Sequence, residues 1–65
     1  MTNLVTITAE MSDTEAEAFA LFLKRSGLAD YRKMTVGDNL EEAYSMRDAG
    51  MKLRVAFTQA GFDPR

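Results

Sequence analysis

The sequence predicts a small α+β domain that is mostly helical: a short N-terminal strand, then two long helices packed against each other with a short helical turn between them. Three observations carry that expectation. Ser12 and Glu15 frame a capping box in front of an apolar run at helical spacing. A second helical run lies between the turn residues Gly37-Asp38 and Gly61. Ahead of both, residues 4 to 8 (Leu-Val-Thr-Ile-Thr) alternate apolar with polar and are rich in β-branched side chains.

In the strand, Val5 and Ile7 are expected to face the core, with Thr6 and Thr8 outward. A lone strand leaves backbone groups unpaired along both edges, so it needs a partner. Two candidates stand side by side: residues 33 to 36 (Lys-Met-Thr-Val) of the same chain, and the same strand of a second copy.

The first helix is predicted over about 13 to 26. Ser12 is its N-cap, and Met11 is placed to pack on Ala16 as a hydrophobic staple. Ala16, Phe19, Ala20 and Leu23 keep helical spacing, and Leu21 and Phe22 widen the apolar face. Lys24 and Arg25 suit the negative end of the helix dipole, and Gly27 is the expected stop. Residues 29 to 34 read as a short helical turn that straightens at Thr35-Val36. Asp38 with Glu41 repeats the capping-box pattern, which starts a second long helix over about 39 to 60. Gly61 and Pro64 end it.

On a helical wheel the second helix carries two apolar flanks. Leu53, Met46, Phe57, Gly50 and Ala43 form one; Leu40, Met51, Tyr44 and Val55 form the other. Two such flanks call for two neighbours. Gly50 allows one of them to approach closely, at about 1 kcal/mol relative to alanine. Arg47 and Arg54 lie between the flanks, where an unpaired guanidinium is costly to bury. Each can pair with a carboxylate such as Asp30 or Glu10, stack on Tyr31 or Tyr44, reach to the rim, or mark a groove for an acidic partner.

A length of 65 residues allows a single domain, 1-65, with one small core. With no cysteine and no histidine, neither a disulfide nor an ordinary zinc site can reinforce it. A well-packed helical core or oligomerisation remains, so monomer and homodimer are both open. No signal peptide is recognisable at the N-terminus and no apolar run is long enough to span a bilayer, which leads to an expectation of a cytoplasmic protein without membrane association.

The same missing side chains remove the commonest nucleophile and general-base arrangements, and the four glycines are isolated from one another. No enzyme activity, cofactor or metal is expected. A formal charge of −2 weighs against direct contact with nucleic acid. The contrary reading takes Gly27 as the turn of a helix-turn-helix, with Tyr31, Arg32 and Lys33 entering a groove and Lys24 and Arg25 beside them.

Acidic residues gather at the two long-helix starts. Helix-dipole complementation accounts for Asp13, Glu15 and Glu41. It accounts less well for Glu17, Glu42 and Asp48. Glu17, Asp38, Glu41, Glu42 and Asp48 are therefore the candidate partner-binding residues, able to imitate a row of phosphates and occupy a DNA-binding groove on another protein.

Four runs carry a resemblance: Phe22-Leu23-Lys24-Arg25 with Gly27, Asp30-Tyr31-Arg32, residues 42 to 49 (Glu-Ala-Tyr-Ser-Met-Arg-Asp-Ala), and residues 60 to 65 (Ala-Gly-Phe-Asp-Pro-Arg). Over about residues 5 to 65 the chain resembles a family of short proteins, without assigned activity, encoded by proteobacterial phages and other mobile elements. It also resembles an anti-CRISPR protein directed at type I-C systems. That resemblance implies stoichiometric binding to a bacterial CRISPR surveillance complex in the host cytoplasm, blocking its access to DNA. It transfers no catalytic or binding residue. The alternatives are a small DNA-binding or regulatory protein of a mobile element, and a dimeric structural interaction module.

Overall fold

The structure, a computed structural model, describes residues 3–63. It contains three helices, α1 (Asp13–Arg25), α2 (Leu28–Lys33) and α3 (Leu40–Gln59). Among the described residues there is no strand, so the fold is all-α and the expected α+β class is wrong.

The reason lies in the missing partner within the chain. Residues 33 to 36 cannot offer an extended edge, because Lys33 closes α2 and Thr35 is the hub of a turn. The Thr35 hydroxyl donates to the Arg32 carbonyl at 2.8 Å and accepts the Asn39 N–H at 2.8 Å. Without a second strand, alternation and β-branching stabilise nothing. Residues 3 to 12 form no regular element, and Leu4, Val5 and Ile7 are 91%, 79% and 85% exposed instead of facing a core.

α1 begins as the capping box requires. The Glu15 N–H donates to the Ser12 hydroxyl at 3.1 Å, and the Ser12 N–H donates to Glu15 Oε1 at 2.8 Å. The helix ends at Ser26, whose N–H and hydroxyl both reach the Phe22 carbonyl, at 3.0 and 2.7 Å. Gly27 is therefore less a stop than the cap of the next helix. Its backbone is extended, and Asp30 Oδ2 accepts its N–H at 2.8 Å.

The link to α3 passes through two consecutive left-handed residues, Gly37 at φ 67° and Asp38 at φ 57°. Aspartate tolerates that region better than most side chains. This conformation moves the α3 cap one residue on from the Asp38–Glu41 pair expected from sequence. Asn39 is the N-cap, accepting the Glu42 N–H at 3.1 Å. α3 closes in a Schellman motif around Gly61 at φ 95°: the Phe62 N–H donates to the Phe57 carbonyl at 2.8 Å and the Gly61 N–H to the Thr58 carbonyl at 3.0 Å. Pro64, the other expected stop, lies outside the described residues.

α1 and α2 both pack on α3. They meet the same flank of it, the one carrying Ala43, Gly50 and Phe57. Phe19 lies against Phe57 with ring centroids 6.0 Å apart, and Tyr31 and Leu23 both close over Gly50. Ala16, Ala20, Leu23 and Ala43 form the buried apolar core among the described residues, and Gly50 is buried with them. Small residues let the helices approach, but they remove little apolar surface from water. On the other flank of α3, Leu40, Tyr44, Met51 and Val55 stay between 37% and 57% exposed.

Candidate functional site

The five carboxylates singled out from the sequence do not form one surface. Glu17 borders Gly61, Phe62 and Asp63, next to the C-terminal end of α3. Glu41 and Glu42 stand in its first turn. The length of a 20-residue helix, about 30 Å, separates those positions.

Two of the five are engaged by arginines. Asp38 takes a bidentate pair from Arg32, with Nε to Oδ1 at 2.6 Å and Nη2 to Oδ2 at 3.0 Å. The hydrogen bond from Arg32 holds the Asp38 carboxyl below its usual range, and the Asp38 hydrogen bond raises the guanidinium in turn. The pair ties the end of α2 to the entry of α3. Asp48 accepts from its neighbour Arg47 at 3.2 Å. Glu41 and Glu42, in contrast, sit close to Asp38 in sequence and in space, at the N-terminus of α3, where the helix dipole favours negative charge.

The arginine question raised by the second helix resolves for Arg47. Its guanidinium lies 5.0 Å from the centre of the Tyr44 ring and reaches Asp48, both on its own helix. Neither Asp30 nor Glu10 is involved: Asp30 caps α2. Arg54 borders Met51, Val55 and Thr58 on the surface of α3.

Sequence reasoning missed the face that stands out most. Phe19 and Phe22, assigned to the core by spacing, are stacked on each other at 5.3 Å with planes 26° apart, and Phe22 is 54% exposed. The signal was present: α1 carries more large apolar side chains than one face can bury. A shallow groove follows beside this face, with Ile7 and Met11 on one bank and Leu53, Phe57 and Phe62 on the other. Met11 and Ala16 both border it.

Chemically the surface offers apolar contact, aromatic faces and separated charges. Among the described residues no three carboxylates converge to hold a metal ion, and no helix is long and apolar enough to cross a membrane. A family of unknown function, DUF7706, matches residues 1–65, the whole chain. The chain belongs to that family. No curated protein and no solved structure matches it. For this DUF7706 chain, function has to be argued from the surface it presents.

Proposed function

We propose that this protein is a non-catalytic binding protein that inhibits a bacterial protein complex by covering a surface the complex needs. The observation that supports a binding role is the stacked, exposed pair Phe19–Phe22 on α1. Aromatic side chains carry much of the energy of protein interfaces, and leaving two of them in water has a cost that burial against a partner removes. The specific form of the proposal is a phage-encoded anti-CRISPR action on a type I-C surveillance complex, in the host cytoplasm. Its phage origin draws on the resemblance of residues 22 to 27, 30 to 32, 42 to 49 and 60 to 65 described above, and its target on the separate resemblance to an anti-CRISPR protein. Glu41 and Glu42 then supply the phosphate-like charge at the α3 start, with Asp38 beside them, while Glu17 falls outside that patch and Asp48 is engaged by Arg47.

The test combines the purified chain with a type I-C surveillance complex and duplex DNA in a gel-shift titration. Stoichiometric loss of DNA capture is the expected result. Phe22→Lys should abolish it with the helical signal intact, and Glu41→Lys with Glu42→Lys should weaken it. Unchanged DNA capture at excess inhibitor would remove the type I-C target. Full inhibition by Phe22→Lys would remove the aromatic face. The DNA-binding alternative draws no support from Arg32, whose guanidinium is engaged by Asp38.

A further inference from the structure

The segment ahead of α1 is open on every side. Each residue from 3 to 12 is exposed, and Leu4, Val5 and Ile7 are among the most exposed apolar side chains described. The backbone is as open as the side chains. Among the described residues, none of the backbone hydrogen bonds outside the helices involves residues 4 to 8. In the single chain these N–H and C=O groups are left to water, and an extended segment of another chain would satisfy them as well. Proteins usually keep such an edge solitary with lysine, other charges or proline. Residues 3 to 9 (Asn-Leu-Val-Thr-Ile-Thr-Ala) contain none of these.

We propose that residues 4 to 8 of two copies pair with each other, antiparallel about a two-fold axis at Thr6. Three observations select a second copy as the partner. The segment of the same chain that could have paired, residues 33 to 36, is taken up by the end of α2 and the Thr35 turn. An uncharged segment meets its own copy without like-charge repulsion, and it has no charge with which to select a different partner. The residue order is also self-complementary. With Thr6 opposite Thr6, Val5 falls opposite Ile7 twice, and Leu4 falls opposite Thr8. Val5 and Ile7 of both copies then share one face. A two-stranded ribbon is marginal alone and needs an apolar floor. Ile7 already borders one, the groove beside Met11, Leu53, Phe57 and Phe62, and the two-fold axis supplies a second.

The pairing is a contact between copies that forms as concentration rises. Below that concentration the chain is the all-helical monomer, and substitutions in residues 4 to 8 leave its stability unchanged. Neither Phe19 nor Phe22 takes part, so the pairing stands or falls apart from the proposed inhibition.

Four measurements on the full chain test it. In sedimentation between about 1 μM and about 1 mM, the wild-type mass should rise from 7.3 kDa to twice that value. Ile7→Lys, at an exposed position, should hold the chain at its monomer mass with the helical signal intact, whereas Phe22→Lys should still pair. Mixing the Ile7→Lys chain with a Val5→Glu chain should restore association, because in this register the new charges lie opposite each other. The chain has no cysteine, so Thr6→Cys should link two copies across the axis on mild oxidation. Val36→Cys, 88% exposed but outside the segment, should not. A wild type still monomeric at about 1 mM would overturn the pairing. A dimer that survives Ile7→Lys, or that Val36→Cys links as efficiently as Thr6→Cys, would overturn residues 4 to 8 as its site. Failure of the mixed chains to associate would overturn the register centred on Thr6.

Discussion

The phenol oxygen of Tyr31 lies 2.5 Å from the position that a β-carbon on Gly50 would occupy, and its ring carbon Cζ lies at 3.3 Å. This contact joins α2 to the middle of α3, and it sets the substitution most sensitive to the packing of the fold. Gly50→Ala gains about 1 kcal/mol of helix propensity. It also forces a half-buried ring out of its seat, and overpacking of this kind costs roughly 1–3 kcal/mol. The clash is expected to win by about 1 kcal/mol in urea denaturation. In a Tyr31→Ala background the same Gly50→Ala change should become stabilising, since only the propensity gain is left. Equal effects in both backgrounds would show that the ring does not rest on Gly50.

The helix ends supply a second expectation. Ser12→Ala removes the hydroxyl that accepts the Glu15 N–H and should cost about 1 kcal/mol. Gly61→Ala places a β-carbon at φ 95°, in the region reserved for glycine, and should cost ~1–2 kcal/mol. Both are read from the denaturation midpoint at one protein concentration, because association would otherwise shift it.

Acid should weaken the fold in a defined direction. Glu15 is held below its ordinary value by hydrogen bonds from Ser12, first the backbone and then the side chain, and Asp38 by the hydrogen bond from Arg32. A carboxyl depressed on folding contributes stability above its unfolded value, near 4, and loses it as pH falls through the folded value. Stability should therefore be level from neutral pH down to about 5 and decline below about 4. Glu15→Gln and Asp38→Asn should each flatten that acid limb, and added salt should shrink the Asp38 contribution because the pair is exposed. A midpoint that rises on acidification would contradict both assignments.

The absent strand makes its own prediction. Leu4→Ser combined with Val5→Ser should shift stability by no more than about 0.5 kcal/mol, as for ordinary surface positions. A loss of several kcal/mol would mean that residues 4 to 8 are paired after all.

Some of this molecule was legible one residue at a time. Ser12 with Glu15, the break after Arg25, the restart before Leu40 and the stop at Gly61 all depend on hydrogen bonds between residues three to five apart, and each appears close to its expected place. The exception shows the limit of that reasoning: Asp38 and Asn39 are both good caps, and it is Asn39 that caps α3 while Asp38, in the left-handed region, pairs with Arg32. The candidate acids were legible as residue types, but not as a surface. Helical spacing says nothing about whether Glu17 comes near Glu41, or whether Asp48 is engaged by Arg47.

Sequence by itself determined to within one residue where the helices begin and end, that the longest of them has two apolar flanks, and that no thiol or imidazole is available for chemistry. Only the tertiary structure decided that residues 4 to 8 find no strand in the same chain to pair with, that Phe22 stays more than half exposed beside Phe19, and that one flank of α3 stays partly exposed. The physical reason is range. A cap is satisfied by its own neighbours along the chain, whereas a strand edge or an apolar flank is satisfied only by surface that other segments bring to it.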